Sequence, residues 1–245
     1  ILWAGGLGGS LAVLRDERWV QPAAPKALAG GAIHGLMDDT LGYLWMSTSR
    51  GIYRAQKHAL LRTDATEAGP PFWDLFDAED GLPSRECSGG FQPSIAGTGA
   101  DRLFFPTVKG VAAVRPSQVA TNPIPPCVVV EELRVNGRDA GFPIASGRSP
   151  EKAPPWRIGP GVQRLEFIYT GLSFVAPERV QFRHRLDRYD TEWQDAGNQR
   201  RANYSRLPPG AYTFRVQACN NSGVWSSQEA QFAFLVQPQD RKSVV

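Results

Sequence analysis

Four carboxylates crowd the stretch before a glycine: Asp74, Asp77, Glu79 and Asp80, ahead of Gly81. Glycoside hydrolysis needs two carboxyl groups flanking a sugar, and neighbours in sequence could supply them. The competing reading, which we prefer, is a solvated loop. Gly5-Gly6-Leu7-Gly8-Gly9 could suggest a phosphate cradle. No Lys-Ser/Thr follows it, and no helix aims N–H groups at it, so a strand-to-strand turn is the better reading. His34, His58 and His184 lie outside metal-ligand spacing of one another and of any cysteine. His184 reads as a core histidine. Cys87, Cys127 and Cys219 are an odd number without C-x-x-C spacing. Three unpaired thiols are expected, with one disulfide open outside the cytoplasm. Trp73, Trp193 and Trp225 each offer a flat apolar face to a sugar ring. Trp193 and Trp225 fit core positions better, which leaves Trp73 as the ligand candidate. There is no G-x-S-x-G elbow, Walker loop or H-E-x-x-H. No catalytic, cofactor-binding or metal-binding residue is therefore assigned, no cofactor is expected, and the ligand-binding residues stay unknown.

The totals narrow the class further. The 245 residues are 42% hydrophobic and 10% aromatic, enough for a sizeable core. The 25 Gly and 20 Pro suit many short strands and turns. With 27 basic and 24 acidic residues the net charge is +3, too balanced to argue for nucleic acid. No apolar run approaches the ~20 residues a membrane helix needs. The opening Ile1-Leu2-Trp3-Ala4 reads as the inside of a strand, with no signal peptide. A piece of something longer, cut at both ends, is expected.

The elements that would hold these residues are strands. Tyr212, Phe214, Val216 and Ala218 alternate with Thr213, Arg215, Gln217 and Cys219, a half-buried strand with the first set inward. Leu207-Pro208-Pro209-Gly210 feeds it and suits a tyrosine corner, with the Tyr212 hydroxyl capping the turn. Phe182, His184 and Leu186 alternate likewise, as do Leu165, Phe167 and Tyr169, and Phe232, Phe234 and Val236. Val128 to Val135 is another strand, turned by Asn136-Gly137. Roughly seven strands over residues 128–238 fit an immunoglobulin- or fibronectin-like sandwich. The run 140–155 reads as a surface loop and 239–245 as a polar tail. Arg179, Arg183, Arg185, Arg188, Arg200, Arg201 and Arg206, interleaved with acids, read as paired surface charges or, more sharply, a docking face.

Residues 1–118 carry a repeat. Trp3-Ala4 aligns with Trp45-Met46-Ser47-Thr48-(x)2-Gly51, which aligns with Phe104-Phe105-Pro106-Thr107-(x)2-Gly110. An aromatic strand and a following Gly at a period near 40 suggest propeller blades. Two to three blades fall short of the four a closed ring needs, so an incomplete propeller with an exposed flank is expected. Pro-rich 119–127 reads as a linker.

Two stretches also carry a resemblance. Phe182-Arg183-x-Arg185-Leu186, Trp193, Tyr204-Ser205-x-Leu207-Pro208-Pro209-Gly210-x-Tyr212-x-Phe214, Asn220 and Gly223-x-Trp225 resemble the three Y (Y_Y_Y) domain of bacterial two-component regulators. Asp38-Asp39-Thr40-Leu41-Gly42-Tyr43-Leu44-Trp45 resembles the regulator-propeller repeat. His184 stands where that family usually has its first tyrosine, so the phenol hydrogen bond is expected to be lost. The resemblance implies the periplasmic, non-catalytic front of an inner-membrane sensor histidine kinase. It further implies a partial propeller over 1–118, a linker over 119–127, a sandwich over 128–238 and a tail over 239–245 toward a membrane helix. The implied partners are missing propeller blades and downstream membrane and kinase domains of the same protein, a second copy through the sandwich, and a carbohydrate ligand. An accessory region of a secreted carbohydrate-active enzyme, or the front end of a cyclase or transcription regulator, remains an alternative.

Overall fold

The structure, a computed structural model, describes residues 1–22, 24, 28–62, 71–99, 101–141 and 156–238. Most of the 140–155 loop and the 239–245 tail lie outside the described residues. The chain is all-β, and among the described residues the only α-helix is the single turn Lys57–Leu60. It divides into two compact units, Ile1–Thr121 and Asn122–Val245.

The first unit holds three antiparallel sheets among the described residues. They are β1 (Leu2–Gly5), β2 (Leu11–Arg15) and β3 (Arg18–Val20); then β4 (Ile33–Asp38), β5 (Tyr43–Thr48), β6 (Gly51–Gln56) and β7 (Asp74–Phe76); then β8 (Ala96–Thr98), β9 (Arg102–Thr107) and β10 (Gly110–Val114). Each strand pairs with its neighbour in sequence, so all three are local meanders.

The middle sheet is covered on both faces. Leu44, Met46 and Tyr53 pack with Leu11 of the first sheet. Trp45 and Ile52 pack with Leu103 and Phe105 of the third. That is why β5 reads as an unbroken buried run and does not alternate. The outer sheets keep apolar residues in water: Leu2 and Trp19 on the first, Val111 on the third. The repeat aligns Trp45 with Phe104, yet the fully buried aromatic of the third sheet is Phe105. Phe104 occupies the face that in the middle sheet is covered by the next sheet, and it is only half-buried.

The second unit is two sheets face to face. One runs β12-β11-β14-β17, with β11 Cys127–Val135, β12 Arg138–Asp139, β14 Arg164–Leu172 and β17 Arg201–Ser205. The other runs β13-β19-β18-β15-β16, with β13 Trp156–Ile158, β15 Gln181–Leu186, β16 Gln194–Gly197, β18 Gly210–Cys219 and β19 Ala230–Val236. Five of these nine strands, β11, β14, β15, β18 and β19, are ones the alternation anticipates; the edge strands β16 and β17 are not among them. The two-residue β12 and the three-residue β13, parallel to β19, are too short to leave a pattern.

The core is aromatic. Phe167 of β14 stacks on Phe214 of β18 across the sandwich, with ring centroids 4.1 Å apart and planes within 5°. Phe182, Phe234 and Tyr169 are fully buried around them. Asn136 and Gly137 both take positive φ, +52° and +81°, which a two-residue hairpin needs to match the strand twist. Cys219, expected outward, is buried, because β18 ends there and the next turn folds over it to bridge Trp225.

Candidate functional site

The polar centre of the sandwich is a chain of hydrogen bonds joining its two sheets. β15 turns His184 inward, and edge strand β17 of the facing sheet turns Tyr204 inward. The turn after β15 brings up Asp190. The Tyr204 hydroxyl donates to Asp190 Oδ2 at 2.9 Å. A carboxylate only accepts, so that contact uses the one phenolic proton. His184 Nδ1, 3.0 Å from the same hydroxyl, must therefore carry the hydrogen and donate. Asp190 Oδ2 also accepts from the Leu186 amide at 2.7 Å. Burial holds His184 below the usual histidine range, with the Asp190 charge opposing it. Burial, together with the Asp190 hydrogen bond and charge, pushes the Tyr204 phenol far up. The imidazole at position 184 thus makes its own hydrogen bond to the Tyr204 hydroxyl. Tyr212 makes the tyrosine corner: its hydroxyl donates to the Pro208 carbonyl at 2.9 Å.

A second device sits where the chain enters this unit. Asn220 is fully buried at the end of β18. Its Nδ2 donates to the carbonyls of Asn122, at 2.7 Å, and Ile124, at 2.8 Å. Its Oδ1 accepts from Ser222 N at 2.9 Å and Val224 N at 3.0 Å. The Asn122 amide donates to Ser222 Oγ. One side chain thus folds its own turn and pins residues 122–124. Asn220 and Asn203 both fit the glycosylation pattern, but the Asn220 amide has both hydrogens committed inside the protein.

The tryptophans require corrections. Trp193 and Trp225 are not core residues. They lie half-buried on the outer face of the five-stranded sheet, flanking the Arg183 guanidinium at 5.1 and 4.5 Å. Arg185 stacks on Trp193 at 5.4 Å, and Arg215 pairs with Asp187 and Glu229. A planar cation fits between indoles, so aromatic residues are used outside the core. Trp73, the residue left as a ligand candidate, is buried in the cluster with Leu44, Met46 and Tyr53. Its ring face is spent on packing.

The first unit explains its own repeat. Asp39 Oδ1 accepts from Leu41 N and Tyr43 N, closing the turn, and Oδ2 accepts from Trp45 Nε1 at 2.7 Å. Thr48 Oγ1 donates to the Gly51 carbonyl and accepts from Arg50 N. Thr107 does the same with Gly110 and Lys109, and both glycines sit at φ +129°. At Gly51 a Cβ would come within 2.6 Å of Leu75 Cδ1. Buried Arg54 pairs with Asp74 at 2.7 Å beneath the rings of Tyr43, Trp45 and Phe76.

That pairing commits one of the four clustered carboxylates. Asp77 and Asp80 cap the short 3-10 turn reciprocally, Asp77 through Glu79 N and Asp80 through Asp77 N. The glycine run closes the β1–β2 hairpin, with Gly6 N donating to Ser10 O. Cys87, Cys127 and Cys219 form no disulfide, and burial raises the Cys87 thiol, which leaves it a poor nucleophile. Among the described residues no group of three or more His, Cys, Asp and Glu is placed to hold a metal. Two open depressions among the described residues, of about 390 and 430 Å³, lie in the first unit. Trp3, His34, Gln92 and Ser94 line the larger.

Sequence reasoning missed the Asn220 clamp, the Arg183 stack and the burial of Arg54. Asn220 had a readable signal: an Asx residue directly after a strand, with Ser222-Gly223 behind it, is turn chemistry.

These features define an all-β region ending in a tyrosine-cornered sandwich, and residues 173–237 match the Y_Y_Y domain. Over 217 residues the chain is 24% identical to Histidine kinase P4 of Formosa agariphila, covering 86% of this chain and 15% of that protein. The extracellular domain of the hybrid two component system BT3049 from B. thetaiotaomicron superposes with a TM-score of 0.50 at 16% identity, over 96% of this chain and 36% of its own. That likeness concerns the fold. A further structure, the extracellular domain of the one component system BT4673 from B. thetaiotaomicron, gives 0.40 at 15% identity, over 96% of this chain and 29% of its own. The chain spans about a seventh of the length of its curated relative.

Proposed function

We propose that this chain is the extracytoplasmic sensing and relay region of a bacterial two-component sensor, a histidine kinase or hybrid kinase, and that it performs no chemistry itself. One observation carries the reading: the Y_Y_Y match over 173–237 coincides with similarity to a histidine kinase along 86% of the chain. Residues 1–118 are taken as a partial propeller of two to three blades, 119–127 as the linker, 128–238 as the sandwich and 239–245 as a lead toward a membrane helix. The local meanders and the clusters shared by successive sheets support the propeller part. Further blades of the same protein would cover the apolar faces around Leu2 and Val111.

In this reading the propeller receives the signal, taken to be a carbohydrate, and the sandwich passes it on, paired with a second copy. The ligand must bind two arrangements unequally, since only differential affinity moves an equilibrium. Phosphoryl transfer belongs to cytoplasmic domains of the whole protein, in the inner membrane. The test is the gene. The reading frame beyond Val245 is expected to encode about 20 apolar residues and then a kinase domain. A frame that instead runs into a glycoside hydrolase overturns the proposal.

A further inference from the structure

His184 is the one histidine of the second unit, and it is the side chain between the sheets of the sandwich that can change charge near neutral pH. His184 lies on β15, between the sheets. Across from it are Tyr169 of β14 and Tyr204 of β17; beside it are Phe214 and Val216 of β18 and uncharged Gln194 of β16. Arg183 and Arg185, its neighbours on β15, engage the tryptophans of the outer face. Asp190 is the charge that acts on it, through the Tyr204 hydroxyl. Tyr189 stands edge-on to Tyr204 at 5.6 Å.

We propose that His184, Tyr204 and Asp190 form a proton-sensitive tie between the two sheets of the sandwich, closed while His184 is neutral and loosened when it is protonated. The neutral ring satisfies its one N–H at the Tyr204 oxygen. Protonation adds a second N–H and a full charge in a half-buried aromatic setting, where a cation is costly unless it reaches water. Opening the edge strand β17 gives it that access and breaks the line from Tyr204 through Asp190 to the Leu186 amide. The depressed basicity of His184 agrees with this direction. The proposal rests on the sandwich alone and stands apart from what signal the whole protein carries.

NMR of the His184 ring carbons and of the Leu186 amide, followed from pH 8 to pH 5 on residues 1–245, tests it. His184 should titrate below the ordinary histidine value of about 6.5, and the Leu186 amide should shift with the same midpoint. In His184→Tyr that midpoint should vanish. In Tyr204→Phe the imidazole should still titrate while the Leu186 amide no longer follows, which keeps the test open if the first variant folds poorly. Titration of His184 with a flat Leu186 response overturns the tie. So does a Leu186 transition that survives in either variant.

Discussion

Replacing Asn220 probes how the chain is fixed at the entry to its second unit. The side chain is fully buried and makes four hydrogen bonds between 2.7 and 3.0 Å. Each contributes about 1 kcal/mol net, and more where the bereft partner cannot reach water. Exposed Ile124 shows that water reaches part of the site. Asn220→Ala should therefore cost about 3–4 kcal/mol, which for a sandwich of this size lowers the melting temperature by roughly 12–15 °C.

Asn220→Asp is the sharper variant. It keeps the acceptor for Ser222 and Val224 but aims an anion at the carbonyls of Asn122 and Ile124. At neutral pH it should be at least as destabilising as alanine. The new carboxyl would have a folded-state pKa raised above its unfolded value, so its deficit against the parent shrinks as pH falls through that pKa. Thermal unfolding at pH 7 and pH 4, with limited proteolysis of residues 119–126, reads both effects. Either variant melting within about 0.5 kcal/mol of the parent, or an Asp variant indifferent to acid, refutes the clamp.

Three further outcomes are expected. Because burial lowers the folded-state pKa of His184, the unfolded chain takes the proton first; stability should be full above about pH 6.5 and decline below it, less so in His184→Tyr, as calorimetry across pH 8 to 5 would show. Asp39→Ala removes the acceptor for two turn amides and Trp45 Nε1 and should cost about 2–3 kcal/mol, with a change in indole fluorescence during denaturant titration. Arg183→Ala should unstack Trp193 and Trp225, red-shift their emission and cost about 1–2 kcal/mol, whereas a docking role would leave the isolated chain's emission unchanged.

Alternation made much of the fold readable. β14, β18 and β19 each turn one face to the core and the other outward, so Phe167, Tyr212, Phe214 and Phe234 stand out at a period of two. β5 escapes that rule because sheets cover both its sides, and the Asp39–Trp45–Thr48 spacing, not periodicity, marks it. Trp193 and Trp225 read as inward because a large apolar ring is usually core; the guanidinium able to share their faces lies 10 residues before one of them and 42 before the other, a distance no local pattern spans. Trp73 erred the other way, since its burial depends on strands that come earlier in the chain. The His184–Tyr204–Asp190 line joins opposite sheets, and pairing across a sandwich leaves no trace in local spacing.

Phosphate transfer from ATP by the full-length protein in inside-out membrane vesicles bears most directly on the function. Acid-labile phosphate should appear on a histidine outside residues 1–245, and the 245-residue chain alone should take up none. Full-length protein that incorporates no phosphate, while residues 1–245 turn over a glycan, would contradict the account.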